Sequence, residues 1–184
     1  MSDHRIPMLE RDQVPPEIQT IYDAVFEARG FIPNMHKTVA NVPPLAQGFV
    51  ALLKPLMGEG ALPAGYKELI AVRVASLIHC DYCMSSHIFL AAKQGIPQAQ
   101  IDAVNDYEHG PFTEKEKLGF RCADRIHESA YALDDVFYAK LNQSFSDQEI
   151  IELIAVAAAF EFFPRFVTAL RIPVTPIPES VAAK

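Results

Sequence analysis

The 184-residue sequence lacks what would direct it to a nucleic acid or a membrane. No long run of one charge interrupts it, and its formal net charge is −7. An acidic surface repels phosphate backbones and anionic headgroups, so neither is expected as a partner. No stretch of about 18 apolar residues is free of charge, so no transmembrane span is expected. The first ten residues contain no apolar core and no small-residue cleavage site, and no signal peptide is expected. Cysteine is scarce, at three residues. In a chain without an export signal the expected location is cytoplasmic, where structural disulfides are rare and paired cysteines serve redox chemistry or a metal.

Convincing alternation of apolar and polar residues is also missing, which leaves an all-α fold. Half of the residues are hydrophobic, enough for a globular core. Prolines and glycines punctuate the helices. Pro16 starts one that Gly30 ends after Arg29, and a short helix is expected within 31–42. Pro43 and Pro44 open the next, which reaches about Met57. Pro63 opens a long one to about His79, and another is expected over about Tyr82–Gln94, closed by Gly95. A short helix follows Pro97. Thr113-Glu-Lys-Glu116 and Ser146-Asp-Gln-Glu149 are capping boxes, predicting helices to about Ala132 and Phe163. Between them, Asp134–Asn142 is expected to be a short helix. The pentapeptide Glu68-Leu-Ile-Ala-Val72 recurs as Glu152-Leu-Ile-Ala-Val156. Both copies lie in apolar helices just after a start signal, which suggests an internal duplication. In this register Cys80 falls opposite Pro164, Cys83 opposite Val167 and His87 opposite Arg171. The expected organisation is one domain over 1–184: an N-terminal helical arm over about 1–60, a bundle with a duplicated helical core over 61–172, and an extended tail over 173–184.

The chemistry concentrates in Cys80-Asp-Tyr-Cys83-Met-Ser-Ser-His87. Two thiols at this spacing can close a small disulfide ring, and Cys83 and His87, four apart, share one helix face. Cys83 is expected in the first turn, where free backbone N–H groups and a nearby imidazolium favour a thiolate. Cys80, just ahead of the helix, is placed to attack an oxidised Cys83. A two-step cycle follows, in which Cys83 becomes a sulfenic acid and condenses with Cys80 to a disulfide. The same atoms, with His79, could instead hold zinc. Against that, no second C-x-x-C or H-x-x-x-H follows, and no metal or cofactor is expected. Glu68 lies on an apolar helix, where a carboxylate is rarely unpaired. It is expected either to form a salt bridge with Arg73 or Lys67, or to reach the site on the following helix. Cys122 is expected to be a buried apolar residue, and His4, His36, His109 and His127 surface or cap residues. Phe160, Phe162, Phe163 and Phe166 read as core or interface.

Glu68 ahead of Cys80-x-x-Cys83-x-x-x-His87, with the Pro63 lead-in, resembles the active-site signature of the AhpD-like alkylhydroperoxidases of the carboxymuconolactone decarboxylase superfamily. Gly30-x-x-Pro33-Asn34 resembles its peroxidase-related branch. The resemblance implies an all-α, duplicated, homo-oligomeric protein (dimer, trimer or hexamer). It implies a thiol-dependent peroxidase that takes a peroxide and is recycled by a thiol reductant or reductase partner. Cys83 would be the peroxidatic and Cys80 the resolving cysteine, with His87 and Glu68 as the proton relay. Related sequences carry a histidine where this one has Tyr82, which would donate a hydrogen bond to substrate or pack. Three other readings remain: a general thiol–disulfide redox protein, a non-catalytic zinc or scaffold protein, and a decarboxylase-type enzyme.

Overall fold

In a computed structural model the described residues are 4–182, and among them there are ten α-helices and no strand. In chain order they are α1 (Pro16–Arg29), α2 (Asn34–Val39), α3 (Pro43–Met57), α4 (Ala64–Leu77), α5 (Asp81–Lys93), α6 (Gln98–Ala103), α7 (Glu114–Glu128), α8 (Asp135–Ser144), α9 (Asp147–Ala169) and α10 (Glu179–Ala182). Both capping boxes form: Thr113 Oγ1 accepts from the Glu116 N–H, and Ser146 Oγ from that of Glu149. Gly30 closes α1 with φ at 82°, a left-handed conformation that a side chain resists. None of the described helices is long and apolar enough to cross a membrane.

Two helix ends differ from expectation. α7 stops at Glu128 rather than Ala132, because Ser129 turns to extended backbone and its side chain accepts from the Tyr131 N–H. α9 runs past Pro164 to Ala169. An interior proline costs a hydrogen bond and roughly 3 kcal/mol. Burial of Phe160, Phe163 and Val167 offsets this at about 1.5–3 kcal/mol each.

The chain forms two compact units. One is Leu56–Arg165, and its centre is α4. From Ala64 to Ala75 every residue of α4 except Arg73 is buried, as an all-round apolar pattern demands. Leu69, Ile70 and Val74 join Phe120, Leu141, Leu153 and Val156 in its core. The start of α4 is held by charge: Lys67 is completely buried and pairs with Glu152 at 2.8 Å. Lys67 also donates to the Gly58 carbonyl, and the Ala61 and Leu62 N–H groups donate to the Glu152 carboxylate. Burial alone would raise the Glu152 carboxyl, but Lys67 and those two amides hold it below its ordinary range. A Cβ at Gly60 would lie 2.2 Å from Glu152 Oε1, so the glycine makes room for the carboxylate. Removing one member of a buried pair strands the other charge. Glu152→Gln is therefore expected to cost about 3 kcal/mol in denaturant unfolding.

The other unit joins the described part of Met1–Pro55 to that of Phe166–Lys184. The Asn34 backbone N–H donates to Thr175 Oγ1, and its side-chain amide to the Pro173 carbonyl, so α2 is stitched to the tail. The tail is extended until α10 begins at Glu179. Tyr22 of α1 donates to the Leu9 carbonyl, and Phe49 meets Phe166 edge-on at 5.4 Å.

His36 is buried here, not on the surface, and its Nδ1 has no hydrogen-bond partner. A six-residue helix is too short to show in sequence which face it buries. Burial, reinforced by Arg29, pushes its pKa from 6.5 down to about 3. The unfolded chain therefore binds a proton that the folded chain refuses between those values, and stability falls as pH drops through that window. Thermal melts from pH 7 to 3 are expected to show that loss, and His36→Leu should remove much of it.

Candidate functional site

The site lies in the Leu56–Arg165 unit and begins with how α4 ends. Ile78 caps α4, and His79 follows with φ at 57°. The His79 N–H bonds the Ser76 carbonyl at 3.0 Å, and the Cys80 N–H bonds that of Ala75 at 2.9 Å. These two bonds make a Schellman motif, which usually has glycine where His79 stands. Cys80 leaves this turn extended, with φ −94° and ψ 93°, and becomes the N-cap of α5. Its Sγ accepts the Cys83 N–H at 3.3 Å. The two sulfurs are 2.9 Å apart and both are buried. A disulfide needs about 2.05 Å, so closing the ring takes a small movement. Two thiolates this close repel each other. The bond with Cys80, then burial, push the Cys83 thiol upward.

One turn along α5, His87 Nδ1 is 2.5 Å from Glu68 Oε2 of α4. Both side chains are largely buried. An ionised carboxylate can only accept, so it assigns the hydrogen to Nδ1 and leaves Nε2 as the free acceptor. Phe160 of α9 meets the imidazole edge-on, at 4.5 Å and 89°. Both cations proposed from sequence as partners of Glu68 are engaged elsewhere. Lys67 holds Glu152, and Arg73 forms a two-pronged pair with Asp124 at 2.7 and 3.1 Å, to which Tyr107 also donates. Glu68 reaches the α5 helix.

Tyr82 is buried beside Cys83. His79 is exposed, and among the described residues no three His, Cys, Asp or Glu side chains converge as metal ligands. Cys122 is fully buried, and burial pushes its thiol up to about 12. His109 is exposed and pairs with Asp106, and His127 pairs with Glu161. Of the four phenylalanines, Phe160 and Phe163 are buried, Phe166 is partly so and Phe162 is exposed. Sequence reasoning missed Phe160 as the wall of His87, and it missed Glu152. No periodic signal could have marked either, because each meets its partner across helices distant in the chain.

A family model, the carboxymuconolactone decarboxylase family, matches residues 43–107, which contain Glu68, both site cysteines and His87. The fold is also that of the alkylhydroperoxidase AhpD core. A peroxidase-related protein of that type from Ralstonia eutropha superposes with a TM-score of 0.86 at 22% identity, over 95% of this chain and 94% of that one. The likeness to these proteins is one of fold, joined by a match to the carboxymuconolactone decarboxylase family over residues 43–107. The debrominase Bmp8, in complex with 2,3,4-tribromopyrrole, has a similar fold. It aligns with a TM-score of 0.83 at 22% identity, over 100% of this chain and 97% of that one. A curated relative, uncharacterized protein 4 in the cox locus of Paracoccus denitrificans, is 40% identical over 53 residues, 29% of this chain. That match spans about half, 48%, of the relative's length.

A non-glycine residue in the left-handed region costs roughly 1–2 kcal/mol. His79→Gly is expected to raise stability by about 1 kcal/mol and to leave the reactivity of the two site cysteines unchanged. The checks are denaturant unfolding and thiol titration.

Proposed function

We propose that this AhpD-like protein is a thiol-dependent peroxidase that reduces hydrogen peroxide or an organic hydroperoxide. The observation that carries this reading is the pair of sulfurs 2.9 Å apart, one helical turn before a histidine held by a buried carboxylate. The peroxidase-related relative supports it at the level of fold.

In the first step Cys83 sulfur attacks the terminal peroxide oxygen, and the O–O bond breaks. Cys83 becomes a sulfenic acid, and its proton passes through His87 Nε2 to the departing alkoxide, giving an alcohol or water. Glu68 holds the ring and stabilises its positive charge during the transfer. In the second step Cys80 attacks the Cys83 sulfur, the S–O bond breaks, and the departing hydroxide takes the proton that Cys80 gives up and leaves as water. The peroxide is reduced by two electrons and the pair is oxidised to a disulfide, which an external thiol must reopen.

A second reading comes from Bmp8. The two electrons of the pair would equally remove bromine from an aromatic ring as bromide. Release of bromide from a brominated pyrrole, with no peroxide present, separates the two.

Cys83→Ser is expected to abolish peroxide consumption in a thiol-coupled assay. Cys80→Ser should accumulate a sulfenic acid that a dimedone probe labels. His87→Gln and Glu68→Gln should slow the first step, the former by about 10²–10⁴-fold. Full activity in Cys83→Ser would sink the proposal.

A further inference from the structure

We propose, resting on the peroxidase reading, that Phe160 is a positioning residue of the proton relay: its ring bars the His87 imidazole from turning over, which keeps Nδ1 on Glu68 and leaves Nε2 to the thiol proton. The torsion that joins a histidine ring to its Cβ is broad and roughly two-fold, so it does not by itself choose a nitrogen. In the neutral ring the Glu68 carboxylate makes the choice, with Nδ1 at 2.5 Å. During proton transfer the ring becomes an imidazolium, both nitrogens donate, and a carboxylate accepts from either. The hydrogen bond thus stops discriminating at the moment when the relay needs it. A steric wall keeps its selectivity when the charge changes.

Phe160 supplies that wall. Its centroid is 4.5 Å from that of the imidazole, at the near limit for ring pairs, and the two planes cross at 89°. An imidazole that turned about its own bond would sweep an edge into the phenyl ring. The phenyl ring has nowhere to retreat. It is buried on one face of α9 with Leu153, Val156 and Ala157, and the Phe163 ring lies 6.1 Å away. A core packed in this way yields little. α9 is itself fixed just over two turns earlier, where Glu152 holds Lys67 and the Ala61 and Leu62 amides. Lys67 immediately precedes Glu68 in α4, so the wall and the carboxylate share one anchor.

Nuclear magnetic resonance of the reduced, isotope-labelled full chain tests this without peroxide. The proton on His87 Nδ1 is expected as a single downfield resonance, identified by its loss in His87→Gln. Phe160→Leu is expected to lose that resonance to exchange or to show both ring tautomers. Phe120→Leu is the control for a merely structural effect. It removes an equally buried ring, packed on Tyr66, Tyr107 and Phe112, and should keep the resonance. Should Phe160→Leu fail to fold, Phe160→Met, which refills the space with a flexible chain, is read in the same way. A wild-type ring that already samples both tautomers overturns the proposal. So does an unchanged resonance in the folded Phe160 variant, or an equal loss in Phe120→Leu. In a single turnover with hydrogen peroxide, Phe160→Leu should slow the first step by about tenfold to a hundredfold and Phe120→Leu by no more than about twofold. Equal slowing in the two overturns it. The expected resonances in a protein that consumes no peroxide would sink the peroxidase reading alone. Peroxide turnover with an unchanged resonance in Phe160→Leu would sink only this inference.

Discussion

The chemistry of this chain depends on one tight reversal between two helices. His79 takes a left-handed conformation, two backbone bonds close the end of α4, and the next residue is already the cap of α5. The reversal has no slack, so the cysteine that ends one helix motif begins the next. It sets the separation of the sulfurs and lays α5 back along α4, which lets Glu68 meet His87. A longer loop would leave each residue in place along the sequence while losing both distances.

That geometry divides the work between two layers of charge. Deep in the unit, Lys67 and Glu152 neutralise each other and anchor the start of α4. Closer to the sulfurs, Glu68 is spared from structural pairing because Lys67 and Arg73 have carboxylates of their own. A buried carboxylate with no cation beside it finds its partner in an imidazole, and an imidazole so held has one nitrogen free to move a proton. Structural and site ion pairs are thus complementary. Misassigning either cation would change the reading of the site.

The helix starts were plain in the sequence because prolines and capping boxes act locally. Thr113, Ser146 and Pro16 mark their helices where they begin. Helix ends were less legible. Pro164 reads as a stop, yet the buried side chains around it outweigh the lost bond. His36 looked like a surface residue because its six-residue helix is too short to show which face it buries. The partner of Glu68 was left open in the sequence, although helix geometry bears on it. Residues one or five apart do not share a face, so neither Lys67 nor Arg73 was well placed for Glu68. The motif itself was fully legible, and the distances between its members were not.

The central claim is that Cys80 and Cys83 work as one two-electron unit on peroxide. Rapid mixing of the reduced protein with one equivalent of hydrogen peroxide, followed by intact-mass and peptide mass spectrometry, tests it most directly. The account predicts one peroxide consumed per chain and the loss of two hydrogens in a peptide that links Cys80 to Cys83, with Cys122 still reduced. A protein whose Cys80 and Cys83 remain free thiols after excess peroxide would contradict it.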